Sequence, residues 1–481
     1  MKYEDVMKTT LDKEVLLCKS HFIQTIRGEE GYVIWHSLFG NPRIVSEEVL
    51  EFLNLFGTPH TLNNVIDADN TDDVQMTIIK DLISDNYLVS QGLDERRFLA
   101  KKMAEREHTI ISGSLITYLE LIMSEVCNFR CTYCIHFNNL ETSDRINSPM
   151  KFMQYDIAKE AVDRYLGILR RHGKRIAEIN FGGGEPLLAW SVIKRVFEYC
   201  HSAYGMEFEF HFSINTNASL ITQIIAKTLK EYHVKVASSL DGLREGNDRV
   251  RLMKSGGGTF FQILRGFNKL ARVGYPLDGI AVTVNEQNFP TLDESIVDWA
   301  VEHIMSEIRI DIDIVGMVEI PIENIVEKLM RIRRYAEDRK IYVAGFWSRP
   351  AENLNNSTLN SHIAFCGAVR GNSICINPSG NIYGCGYSNI QFGTLTQFGD
   401  LHKINSQYHR FVKGHLTGMM EMCKGCMIEG QCGGGCNITQ EFAQTAKTTK
   451  IERMCNFYRQ MTRELLLEQL RESNSGVIKN D

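Results

Sequence analysis

The longest regularity in the chain is a repeat of strand-like and helix-like apolar patterns from Leu115 to about Lys340. Strands are expected near 117–124, 177–182, 206–215, 234–241, 279–285 and 306–315, each followed by an amphipathic segment such as Phe152 to His172 or Phe260 to Val273. Strand then helix, six times over, implies a parallel sheet with right-handed crossovers and functional loops at the strands' C-terminal ends. Several strands alternate. Phe208, Phe210, Phe212 and Ile214 share one face while Glu207, Glu209, His211, Ser213 and Asn215 share the other; likewise Ile308, Ile310, Ile312 and Ile314 oppose Arg309, Asp311 and Asp313. Strands covered on both faces read as continuous apolar runs, so the alternation favours a barrel with a wet, polar lumen over an open doubly wound sheet. Each lumen acid taken singly is better explained by a hydrogen-bonded spacer role than by catalysis.

The flanks read differently. His21 to Ile26 and Gly31 to Trp35 alternate as a hairpin about Arg27-Gly28-Glu29-Glu30. Ser46 is placed to cap a helix from Glu47 to Phe56, closed by Gly57. Helical segments follow at Leu62 to Ile66 and Asp73 to Ser84, then a strand at Tyr87-Leu88-Val89. A hairpin with three helices makes a winged-helix-like α+β module, joined to the barrel by a charged helical linker from Arg96 to Glu107. Beyond the barrel, two short strands flank the turn Asn377-Pro378-Ser379-Gly380-Asn381, and an amphipathic helix runs from about Thr449 to Glu472. The expected divisions are 1–105, 106–345 and 346–481.

At 481 residues the chain exceeds one small core, and 43% hydrophobic with 23% charged residues is ordinary for a globular protein. A net charge of -6 offers no basic footprint for nucleic acid. No signal peptide opens the sequence and no apolar stretch is long enough to span a bilayer, so no membrane partner and a cytoplasmic setting are expected. Thirteen cysteines in a reducing compartment then argue for metal or cluster binding over disulfides. Ten fall into spaced sets, leaving Cys18, Cys200 and Cys375.

Cys127, Cys131 and Cys134 form a C-x3-C-x2-C loop directly after the first strand. Three thiolates can hold three corners of a four-iron cluster and leave one iron open to a small molecule; a zinc knuckle or buried thiols are the alternatives. The second strand ends in Gly182-Gly183-Gly184-Glu185-Pro186, which lacks the Lys and Ser/Thr of a phosphate loop. Together the two segments resemble the signatures of the radical S-adenosylmethionine (SAM) enzymes. That resemblance implies an α/β fold with a partial (β/α)6 barrel, SAM chelated by the open iron, and a 5'-deoxyadenosyl radical that takes a substrate hydrogen. It puts Tyr133 beside the adenine, Gly183, Gly184, Glu185 and Pro186 at the SAM ammonium, and Ser239 and Arg251 at its carboxylate. Ser213 and Asn215, ending the third strand, and Asp241, ending the fourth, fall in two further matching stretches.

The remaining set, Cys366, Cys385, Cys423, Cys426, Cys432, Cys436 and Cys455, resembles the cysteine-rich SPASM extension of peptide-modifying radical SAM enzymes. It implies two auxiliary clusters, one on Cys366, Cys385 and Cys436 and one on Cys423, Cys426, Cys432 and Cys455, hence three 4Fe-4S clusters in all. Cys375 can complete the first, although its place in an alternating strand favours a packed thiol; a four-thiolate zinc site from Cys423 to Cys436 is the rival. The N-terminal module resembles a peptide-recognition domain that takes a leader peptide as an added strand, with a packing domain lacking a ligand as the alternative. The expected function is a maturase that installs a crosslink or related oxidation in a ribosomally made precursor peptide. Flavodoxin or ferredoxin would serve as reductant. The rivals are an anaerobic sulfatase maturase and an iron-sulfur carrier with a relic SAM site. The intact Gly183 to Pro186 segment speaks against the relic. Gly386, where sulfatase maturases carry an Asp after the corresponding cysteine, speaks against formylglycine formation. Glu207, Glu209, His211, Asp311 and Asp313 then stand as proton acceptors.

Overall fold

The computed structural model describes residues 14–29, 31–66, 73–135, 150–313, 319–360, 363–443 and 449–474. Near the N-terminus, β1 (Leu17–Lys19) is followed by an antiparallel sheet of β2 (Ile23–Arg27), β3 (Tyr32–His36) and β4 (Gly40–Val45), with β3 central. The hairpin matches its expected place. β4 does not appear in the sequence pattern, because Gly40-Asn41-Pro42 reads as a turn; Pro42 is tolerated since β4 lies at an edge, where a missing N–H breaks no ladder. Gly40 has φ 86° and a Cβ there would lie 2.6 Å from the Leu354 carbonyl oxygen, so only glycine fits. α1 (Glu47–Leu55), a turn at Leu62–Asn64 and α2 (Asp73–Ser84) pack Leu53, Leu62, Ile79 and Leu82 against Leu17, Ile34 and Tyr87. β5 (Leu88–Ser90) returns beside β1. The linker is a longer helix than expected, α3 (Glu95–Ser112), capped by Asp94, which accepts from the Arg97 N–H at 2.9 Å, and ended by Gly113 at φ 76°.

The barrel follows: β6 (Tyr118–Ser124), α4 (Tyr155–Arg171), β7 (Ile176–Gly183), α5 (Trp190–Tyr204), β8 (Glu209–Thr216), α6 (Gln223–Glu231), β9 (Lys235–Ser239), α7 (Phe260–Arg272), β10 (Gly279–Val284), α8 (Ser295–Glu302), β11 (Glu307–Ile312) and α9 (Ile322–Glu337). A seventh parallel strand, β12 (Tyr342–Ala344), joins β11; three residues are too few to show a period. On the other edge β13 (Ser373–Ile376) pairs parallel with β6 and carries β14 (Asn381–Tyr383) and β15 (Gln391–Thr394) antiparallel beyond it. The result is one open sheet of ten strands ending at β12 and β15. As the alternation required, Ile179, Phe181, Phe212, Ile214, Ile308 and Ile310 are buried under the helices. Phe197 of α5 meets Phe212 with ring centroids 4.8 Å apart.

α10 (Thr449–Asn474) crosses back to the N-terminal sheet, where Leu466 and Leu470 pack on Val33 and Trp35. Trp35 Nε1 donates to the Met427 carbonyl at 2.7 Å, Gly430 N–H donates to the Ser37 carbonyl at 2.8 Å, and Arg96 forks onto Glu429 at 2.7 and 2.9 Å. The N-terminal sheet is therefore bonded directly to the cysteine-rich segment. Among the described residues, no helix is long and apolar enough to cross a membrane.

Candidate active site

β6 ends at Ser124 and delivers the cysteine loop to the top of the barrel. The loop is pinned by main-chain bonds to a distant stretch: Arg130 N–H donates to the Leu252 carbonyl at 2.6 Å and Thr132 N–H to that of Val250 at 2.9 Å. The thiols of Cys127 and Cys131 lie near enough to Cys134 to feel its charge. Burial pushes Cys127 up to about 11 and Cys131 up to about 12, the latter against the pull of the Arg251 cation. A bound metal would displace such protons, since the ligand is the thiolate. A cubane spreads its thiolates over separate irons.

The glycines after β7 allow a close approach of two backbones. A Cβ on Gly184 would lie 2.5 Å from the Val126 carbonyl oxygen, and one on Gly183, at φ 115°, would strike that of Ser124. They let β7 run against the backbone of the cysteine loop, with Gly184 N–H donating to Ser124 at 2.8 Å and Glu185 N–H to Val126 at 3.1 Å. Glu185 is sealed from water and burial raises its carboxyl to about 7. Its oxygens accept from Leu187 N–H at 3.0 Å, Thr216 Oγ1 at 2.7 Å and Asn217 N–H at 2.8 Å. Of about four acceptor positions on a carboxylate, these fill three and tie β7 to β8. Pro186 opens the short turn that follows.

A second cluster faces the same loop. The Arg251 guanidinium pairs with Asp241, Nε to Oδ2 at 2.7 Å, lies 5.7 Å from the Tyr133 ring centroid, and reaches Cys131 Sγ at 3.9 Å. Asp241 also accepts from Thr283 N–H at 2.8 Å and, over a short contact, from the Tyr133 hydroxyl. Ser239 closes β9, half-buried beside Ala281 of β10. Ser213 donates to Asn180 at 2.9 Å, and Asn215 is exposed on the same face. Asn217, not singled out from the sequence, donates to Asn128 at 2.9 Å and reaches Cys127 Sγ at 3.8 Å. Its only signal was its place just past the end of a strand.

Of the other cysteines, Cys385 and Cys436 lie near enough to Cys366 to feel its charge, and Cys423, Cys432 and Cys455 near enough to Cys426 to feel that one. Cys375 is fully buried between Ile122 and Tyr383 on β13, a packed thiol.

Residues 121–296 match the radical SAM superfamily. The chain carries a radical SAM domain. A domain of this kind implies SAM and a 4Fe-4S cluster, and the matched residues include the Cys127, Cys131 and Cys134 loop. The radical SAM cyclopropyl synthase TigE of Paramaledivibacter caminithermalis is 23% identical over 493 residues, spanning 98% of each chain. Among solved structures, anSMEcpe with bound AdoMet overlays at a TM-score of 0.58 with 17% identity, covering 75% of this chain and 99% of that one. Streptococcus suis SuiB bound to the precursor peptide SuiA overlays at 0.52 with 15% identity, covering 90% and 98%. Both show a shared radical SAM fold.

Within that domain the expected acids and bases do not converge. Glu207 leaves the group. α5 ends in a turn, with the Glu207 and Phe208 N–H groups both donating to the Tyr204 carbonyl at 2.9 Å, so β8 begins at Glu209 and Glu207 forks onto Arg170 of the outer helix α4 at 2.6 Å. Glu209 and His211 pair with each other at 2.8 Å, about 20 Å or more down the strand from Asn217. Asp311 accepts from Arg309 Nε at 2.6 Å and, more closely, from Phe346 N–H. Asp313 is half-buried just past β11. A lumen acid that the sequence did not disclose is Glu120 of β6, whose carboxylate accepts from Gly386 N–H, next to Cys385, at 3.1 Å.

Proposed function

We propose that the chain is a peptide-modifying radical SAM enzyme that abstracts hydrogen from a ribosomally made precursor and closes a crosslink or related oxidation. The observation that carries this reading is the N-terminal sheet. Among the described residues its β2 edge has no further strand, and β3 next to it is bonded through Trp35 to Met427, the residue after Cys426. A leader peptide added to β2 as a strand would lead its downstream part toward the cysteines. SuiB, described in complex with a precursor peptide, and TigE, named a cyclopropyl synthase, support the same class of substrate and product. A crosslink and a cyclopropane each close a carbon bond at the loss of two hydrogens.

SAM and its cluster, when bound, supply the 5'-deoxyadenosyl radical. The chain's own groups orient them. Arg251, fixed by Asp241, and Ser239 offer donors to a carboxylate; Tyr133 lends a ring to the adenine; the remaining acceptor position of Glu185 suits an ammonium; Asn217 steadies Cys127. Cys366, Cys385 and Cys436, and separately Cys423, Cys426, Cys432 and Cys455, would hold two auxiliary cubanes of a SPASM-like region. A flavodoxin- or ferredoxin-type protein in the cytoplasm would supply electrons. The sulfatase-maturase reading is the alternative, with Gly386 where that group carries an Asp. The test is anaerobic incubation of the reconstituted, reduced enzyme with SAM and the peptide encoded beside it. 5'-Deoxyadenosine together with a peptide two hydrogens lighter is expected.

A further inference from the structure

Closing such a bond removes one substrate hydrogen as an atom and the second as a proton, and the proton requires an acceptor. We propose that Glu120 is that acceptor, standing in from β6 for the carboxylate that residue 386 lacks. This rests on the peptide-maturase reading above.

Glu120 lies between Leu119 and Leu121, both fully buried on the helix side, so its own side chain enters the lumen. Two glycines clear its seat. A Cβ on Gly182 would lie 2.7 Å from Glu120 Oε1, and one on Gly386 would lie 3.0 Å from Oε2. The carboxylate thus occupies the space into which a side chain on residue 386 would project. It is held there by Gly386 N–H at 3.1 Å and by Asn180 Nδ2 at 3.4 Å, itself bonded to Ser213 on the next strand. The bond from Gly386 N–H sets the carboxylate one residue from Cys385. Among the acids expected in the lumen, Glu209 is bonded to His211 and Asp311 to Arg309 and Phe346.

The balance is as follows. One substrate C–H bond breaks homolytically, and its hydrogen atom joins the 5'-deoxyadenosyl radical to give 5'-deoxyadenosine. A second substrate X–H bond gives its proton to a Glu120 carboxylate oxygen. As the two substrate atoms join, one electron must leave, and a cluster held by Cys366, Cys385 and Cys436 would supply its acceptor.

The test uses full-length enzyme, SAM and the neighbouring precursor peptide carrying deuterium. E120Q and E120A are expected to keep wild-type iron content and peptide affinity and to transfer deuterium into 5'-deoxyadenosine, while forming the lighter product at least about 100-fold more slowly. Adding G386D to E120A, which opens the space for the new side chain, is expected to return product formation. Wild-type product rates in E120Q would overturn the proposal alone. So would iron loss in E120Q, or a double variant no faster than E120A, since either makes the role structural. No peptide product from the wild-type enzyme would overturn the peptide reading and this proposal with it.

Discussion

Asp241 holds Arg251 with Nε 2.7 Å from Oδ2, and the two side chains are 0% and 9% exposed. Removing one partner of such a pair strands the other charge away from water. D241N is expected to destabilise the apoprotein by about 3–5 kcal/mol, read as a lowered urea midpoint. The double variant D241N/R251M is expected to recover much of that loss because no charge is left buried. Both variants are expected to weaken SAM binding.

Gly184 sets the distance between β7 and the cysteine loop. G184A places a methyl 2.5 Å from the Val126 carbonyl oxygen, which is backbone and cannot rotate away. The loop must shift, so the variant is expected to lose about four irons, one cubane, with the auxiliary iron retained. Iron and sulfide analysis after anaerobic reconstitution checks this.

Strand addition to β2 can be separated from folding by two adjacent prolines. Along an edge strand, successive N–H groups point alternately to the neighbour and outward. Of Q24P and T25P, one is expected to lower the melting temperature by breaking a bond to β3. The other is expected to keep it and weaken leader-peptide binding about tenfold, one hydrogen bond's worth. Equal peptide affinity in both would remove the leader from β2.

The repeat of strands and the grouping of ten cysteines were legible because each depends on spacing within a short stretch. Residues whose role depends on a partner far along the chain were not. Glu120 sits in Tyr118-Leu119-Glu120-Leu121-Ile122, apolar on both faces, so alternation gave it no polar company. That Gly183 and Gly184 make room for Ser124 and Val126 was hidden because those residues lie about sixty positions earlier. Glu207 was carried into the lumen by an unbroken period that the turn at Tyr204 interrupts. β4 was concealed by a proline that only an edge strand accepts.

His36 couples the N-terminal sheet to α3. Its Nδ1 accepts from the Leu38 and Phe39 N–H groups at 3.2 and 3.1 Å, and Nε2 meets Glu95 at 2.7 Å. Burial lowers its affinity for a second proton below the ordinary value of 6.5, against the pull of Glu95. The unfolded chain therefore binds more protons below about pH 6.5, and stability falls as pH falls through that range. H36N, whose side-chain oxygen can still accept, is expected to show a smaller drop in melting temperature between about pH 7.5 and pH 5.5 than the wild type.

The most direct test of the account is tandem mass spectrometry of the neighbouring precursor peptide after anaerobic incubation with reduced enzyme and SAM. The account expects a peptide two hydrogens lighter, with fragmentation lost across one new bond and 5'-deoxyadenosine formed in step. An unmodified precursor alongside formylglycine on a sulfatase-derived peptide would contradict it.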